Sequence, residues 1–210
     1  QGIRNFVPEE GEYTLLKNAW TGLSENLNTT YKELNPIISP DGKTLFFSRL
    51  NHPLNNYGMY SSQDIWMASM ENGIENAKPV HLEYPFNQRI NNGVCGFSPD
   101  GKTIFIQGRY RDGKRIGPGV SVIKKTKDGY AEPQGFYIED IGNYDNGKYG
   151  GYYMHSDLQT LIFYGTPVDD SPHTNIYVSF RENDTSFSKP ISLGPDINHD
   201  DSQQSTTYLA

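Results

Sequence analysis

The chain holds one cysteine in 210 residues, has no long apolar run and carries no basic stripe. The lone Cys95 excludes an internal disulfide framework and any multi-cysteine metal site. Within Gly93-Val94-Cys95-Gly96-Phe97 it reads as a buried thiol that packs like a small hydrophobe, not as a nucleophile. No segment approaches the ~20 consecutive apolar residues of a helix that spans a bilayer, and none reads as a signal peptide. The formal net charge is −7. A nucleic-acid reader displays a basic face, so nucleic acid is not an expected partner. The basic cluster Lys124-Lys125-Thr126-Lys127 reads as a solvated strand end.

Aromatics and turn formers are abundant, with 15 Tyr, 10 Phe, 2 Trp, 21 Gly and 13 Pro against a hydrophobic share of 35%. That balance suits many short, half-buried strands joined by tight turns. A ten-residue phrase then recurs along the chain. Ser39-Pro40-Asp41-Gly42-Lys43-Thr44-Leu45-Phe46-Phe47-Ser48 returns as Ser98-Pro99-Asp100-Gly101-Lys102-Thr103-Ile104-Phe105-Ile106-Gln107. A third copy, eroded, runs from Ser156-Asp157-Leu158-Gln159 to Gly165 and lacks both Pro and Gly in its turn. A fixed period of this size marks a repeat architecture.

Each unit reads as four strands. One strand leads into the turn, and a second leaves it at Thr44, Thr103 or Thr160. The third strand carries Asp64-Ile65-Trp66-Met67, Gly119-Val120-Ser121-Val122 or Asn175-Ile176-Tyr177-Val178. The fourth follows Lys78-Pro79, Glu132-Pro133 or Lys189-Pro190, where proline suits an outer edge that needs no N–H donor. Links rich in Asn and Asp return the chain to the next unit. The expected fold is therefore all-β: a β-propeller of four-stranded antiparallel blades, with about three to three and a half blades in this chain. Residues 1–20 match no repeat and read as a lead-in segment or linker; residues 21–210 carry the repeats, with turns at about 39–43, 98–102 and 156–160. Propellers close with about four to eight blades, so a partial ring is expected.

The phrase Ser-Pro-Asp-Gly-Lys-Thr-Leu-Phe-Phe-Ser followed by Asp64-Ile65-Trp66-Met67 resembles the TolB-type, WD-like β-propeller repeat of bacterial envelope proteins. Asn175-Ile176-Tyr177-Val178 and Lys189-Pro190-Ile191-Ser192-Leu193-Gly194-Pro195-Asp196-Ile197-Asn198 extend that resemblance to the propeller of OmpA-family multidomain proteins of Bacteroidetes. The resemblance implies a periplasmic, outer-membrane-associated scaffold that contacts other envelope proteins within a secretion or motility assembly. Any contact with peptidoglycan would be made through a separate domain of a longer chain.

No catalytic constellation accompanies the repeat. His52, His81, His155, His173 and His199 have no zinc-ligand spacing. Asp196, Asn198, Asp200 and Asp201 read as a self-satisfying Asx-rich loop in preference to a calcium site. No Gly-x-Ser-x-Gly elbow is present, and the Gly113-Lys114-Arg115 stretch lacks the ending of a phosphate loop. The expectation is thus a non-enzyme with no cofactor and no metal. Two alternatives stand beside it: a propeller glycoside hydrolase or peptidase-associated propeller, and a lectin-like module stacking sugars on Trp66, Tyr57 and Tyr110. Candidate partner-binding residues lie on the connections between second and third strands: Tyr57, Tyr60, Arg109, Tyr110, Arg111, Arg115, Asp169 and His173.

Overall fold

The computed structural model describes residues 23–60, 62–88, 91–148, 150–168 and 174–198. The lead-in, Asp169, His173, His199, Asp200 and Asp201 lie outside the described residues. Within them the fold is all-β, as the repeat predicts, with two short 3₁₀ turns and no α-helix.

The first blade comprises β1 (Lys32–Ile38), β2 (Thr44–Leu50), β3 (Gln63–Ser69) and β4 (Val80–His81), hydrogen-bonded in that order. The second comprises β5 (Val94–Phe97), β6 (Thr103–Arg111) and β7 (Lys114–Thr126), with β8 (Gly129–Tyr130) and β9 (Gln134–Gly135) both pairing with β7. A short β10 (Tyr137–Ile138) leaves it for the third blade. That blade holds β11 (Gly151–Met154), β12 (Thr160–Gly165), β13 (Asn175–Phe180) and, after a hairpin bearing β14 (Ser186–Phe187), β15 (Ile191–Ser192). β4, β9 and β15 each begin at the residue after their prolines, Pro79, Pro133 and Pro190. β10 and β14 pair in parallel and tie the second blade to the third.

Alternation along β2 and β6 explains why the blades stack. Successive side chains point to opposite faces, and both faces are apolar. Phe46 and Ile65 of the first blade meet Ile104, Ile106, Tyr110 and Ile123 of the second. Phe105 and Val120, on the other face of the second blade, meet Leu161, Phe163 and Tyr177 of the third. The far face of the first blade carries Phe47 and Trp66, covered by Leu27 and Ala77. Near the inner strands Gly96 is obligatory, because a Cβ there would sit 2.7 Å from the Met154 carbonyl oxygen.

The β1–β2 turns share one chemistry. Ser39 and Ser98 each donate from Oγ to Asp Oδ1 two residues on (2.6 Å), and that carboxylate accepts from the amide of Lys43 or Lys102 at 3.0 Å. Gly42 and Gly101 close the turns at φ 71° and 67°. The third turn starts one residue earlier than its sequence suggests, at His155 and not at Ser156. The His155 amide donates to Thr160 O, as Ser39 does to Thr44 O and Ser98 to Thr103 O. Asp157 then matches Asp41 and Asp100, and Leu158 takes the glycine position at φ 58°. The turn geometry persists without glycine because Asp157 accepts from the Gln159 and Thr160 amides and from Thr160 Oγ1.

Candidate functional site: the loop-bearing face

Antiparallel order within a blade places the β2–β3 connection and the link from the preceding blade at one end. The β1–β2 turn lies at the other. The described candidate residues therefore belong to one face, yet the first two blades build it differently.

In the first blade, residues 51–60 form an irregular loop folded around buried polar groups. Asn55 Nδ2 donates to the carbonyls of Arg49 (2.9 Å) and Ser62 (3.1 Å), and its Oδ1 accepts from Trp66 Nε1 at 3.2 Å. Asp64, 1% exposed, accepts from the Asn56 amide (2.7 Å), His81 Nε2 (2.8 Å) and Asn92 Nδ2 (3.0 Å). Asn87 clamps Ile65 by accepting from its N–H at 2.7 Å and donating to its C=O at 2.8 Å. A side-chain amide thus stands in for the backbone of a neighbouring strand, supplying an acceptor to the buried Ile65 N–H and a second donor to a C=O that also accepts from the Leu82 amide at 3.1 Å. Asn198 clamps Ile176 of the third blade in the same way, at 2.7 and 2.9 Å. These two asparagines occupy equivalent places after Phe86 and Ile197, a correspondence the sequence displays only once the clamp is known.

In the second blade the connection is no loop. β6 and β7 continue as a hairpin, with two register shifts between Gln107 and Tyr110, to Arg111 and Lys114, closed by Asp112 and Gly113. Both have positive φ (49° and 68°), as a type I′ turn requires. The two constructions touch: Asn56 Nδ2 reaches Gln88 O (3.4 Å), and Gln88 Nε2 donates to Gly113 O at 2.7 Å.

The candidate residues separate accordingly. Tyr57 and Tyr60 are exposed (50% and 86%) on the first-blade loop, as are Leu54 and Met59 beside them. Tyr110 is 2% exposed, buried against the first blade, and is not a surface residue. Bulge-shifted pairing at Gly108 turns its ring into the core. Arg109 and Arg111 lie on the opposite face of the same strand, toward the third blade. Arg115 is half-buried and donates from Nη1 to Asn91 O at 3.1 Å. Trp66 is buried as well (3%), with the Arg49 guanidinium 4.6 Å above its ring, which removes it as a sugar platform. Arg49 holds Glu33 at 3.3 Å; burial lowers its pKa and Glu33 opposes that shift.

Asp145, in the link before β11, is 2% exposed and accepts from Tyr152 Oη (2.5 Å) and the Gly147 amide (2.7 Å). Burial pushes its carboxyl up, against the pull of both donors. Cys95 is buried, and desolvation holds its thiol far above the usual range and so protonated. Among the described residues no three His, Cys, Asp or Glu side chains gather to hold a metal ion. No helix among them is long and apolar enough to cross a membrane.

No protein-family model and no curated protein matches the chain by sequence. Solved structures with a similar backbone include the α-L-arabinofuranosidase PaAbf62A of Podospora anserina, in complex with cellotriose. It is 16% identical, with a TM-score of 0.43, covering 81% of this chain and 58% of that one. A second is a glycoside hydrolase at 11% identity and TM-score 0.47, covering 87% and 62%. A third is a TolB candidate from Agrobacterium tumefaciens at 13% identity and TM-score 0.30, covering 79% and 82%. The chain spans less than two thirds of the length of the first two. The expectation of a non-enzyme is corrected by this finding: two of these three structures are glycoside hydrolases.

Proposed function

We propose that the loop-bearing face is a carbohydrate-binding surface of a glycan-active propeller. The observation that carries this reading is the placing of two exposed tyrosines, Tyr57 and Tyr60, on a loop whose neighbours are pinned by Asn55 and Asp64. Aromatic faces bordered by amides, here Asn56 and Gln88, offer flat apolar contact and directional hydrogen bonds together, as a polyhydroxylated ring requires. Asp64 and Asp145 act as positioning residues in this reading, because their oxygens already accept from internal donors. A hydrolytic step would use a different pair of carboxylates, set about 5–9.5 Å apart across the bound sugar.

The test is affinity electrophoresis against a panel of soluble polysaccharides, with reducing-end release measured in parallel. We expect at least one glycan to retard the wild-type chain, and Tyr57→Ala with Tyr60→Ala to weaken that retardation about tenfold, the scale of losing aromatic anchors. Retardation by no glycan, or equal retardation of the double variant, overturns the reading. Reducing-end release decides whether binding is coupled to hydrolysis.

The TolB-type blade signature supports a second reading at the level of cellular context. It gives a periplasmic, outer-membrane-associated chain of the OmpA-family type, in contact with other envelope proteins. Cross-linking in the source cell followed by identification of the partners tests it; recovery of no envelope protein counts against it.

A further inference from the structure

The alternation that buries Tyr110 against the first blade sends Arg109 and Arg111 to the other face of β6. There they line a cleft of about 300 Å³ at the junction of the second and third blades. The remaining wall is mixed: Ile116 (42% exposed), Phe136 (3%) and Tyr137 (57%) stand beside Asp112 and Gln134, with Thr185 of the third blade closing one side. Gly135 lets β9 approach, since a Cβ there would lie 2.5 Å from the Tyr110 carbonyl oxygen and 2.8 Å from Arg109 Cγ. The Arg109 Nε–H is buried without a hydrogen-bond partner among the described residues. A buried donor left unsatisfied costs roughly 1–3 kcal/mol, more on a charged group, so its persistence calls for an acceptor. Neither Arg109 nor Arg111 forms an ion pair with a described residue. The rim carboxylate, Asp112, is exposed in the hairpin turn.

We propose that this cleft binds a carboxylate carried on a small ring. A guanidinium matches a carboxylate in a planar two-bond fork, and Arg109 and Arg111 present two of them two residues apart on one strand face. Ile116 and Tyr137, the exposed apolar members of the wall, take the ring. The volume admits one small ring at a time. A sugar acid and an aromatic acid share this chemistry. The site is separate from the tyrosine-bearing rim, across the hairpin, and stands whether or not that rim binds glycan.

The test is isothermal titration of the full chain with glucuronate and with 3-phenylpropionate, using glucose and 3-phenylpropanamide as neutral counterparts. We expect saturable binding of at least one acid, and the one that binds names the source. The matching neutral compound binds at least about tenfold more weakly, as expected for loss of a charge-assisted pair. Arg109→Gln is expected to weaken the acid about tenfold and Arg111→Gln about threefold, with unchanged thermal unfolding. Thr185→Trp, which fills the cleft and leaves both arginines in place, abolishes binding and serves where Arg109→Gln does not fold. Failure of both acids to bind, equal binding of acid and neutral counterpart, or undiminished binding by the folded variants overturns the proposal.

Discussion

The first and second blades reach the same face by opposite means. Between β2 and β3 the first blade gives up the backbone ladder and holds its loop with the side chains of Asn55, Asp64 and Asn87. Between β6 and β7 the second blade keeps the ladder to its tip and needs only Asp112 and Gly113 to turn the chain. A ladder spreads its stabilisation over many equivalent bonds, whereas a polar hub concentrates it in a few buried groups. The difference teaches where the face is fragile.

The largest effect is therefore expected at the hub. Asp64→Ala removes the acceptor for Asn56, His81 and Asn92 inside a dry junction, and should cost about 3 kcal/mol or more in urea unfolding. A loss below about 1 kcal/mol would mean that water replaces the carboxylate and the hub is not the anchor. Asn87→Ala removes the acceptor of the buried Ile65 N–H, while the Ile65 C=O keeps the Leu82 amide, and should cost about 2 kcal/mol. Asn198→Ala, at the third blade's half-buried equivalent, should cost less. The hairpin should be more forgiving. Gly113→Ala forces a Cβ into positive φ, 3.0 Å from the Tyr84 hydroxyl oxygen, for about 1 kcal/mol.

The smallest effects belong to the third turn. Leu158→Gly relieves a left-handed leucine but surrenders a side chain packed against the core, so the two terms nearly offset. The expected change in stability is within about 0.5 kcal/mol. In the same turn burial opposes ionisation of Asp157, but the Gln159 and Thr160 donors and His155 outweigh it and hold its pKa at about 2, below the ordinary 3.8. A carboxyl depressed in the folded state contributes stability above its unfolded pKa and loses it as pH falls through the folded value. Wild type and Asp157→Asn should thus differ most near neutrality and converge between about pH 4 and pH 2. A gap independent of pH across that window would contradict the assignment.

The fold was largely legible because repetition averages out local ambiguity. Ser39 and Ser98 announce the turns, and Pro79, Pro133 and Pro190 each lie just ahead of an outer strand. The third turn was misread by one residue because Ser156 imitates the expected serine, while the hydrogen bonds that define the turn start at His155. The site was less legible. Tyr110 sits in a stretch that reads as a loop, and only the bulge at Gly108 decides that it faces the core. Asp112-Gly113 was a readable hairpin signal and would have corrected that stretch. The Asn87 and Asn198 clamps leave no local pattern, since they act on strands 22 residues away in sequence.

The central claim, that the pinned loop of the first blade is a carbohydrate-binding surface, is tested most directly by backbone amide NMR during titration with a mixed oligosaccharide pool. The account predicts shifts confined to residues 51–60, Gln88 and Gly113, with Gly42 and Gly101 at the opposite end unmoved. Shifts clustered at those far turns, or none with any glycan, would contradict it.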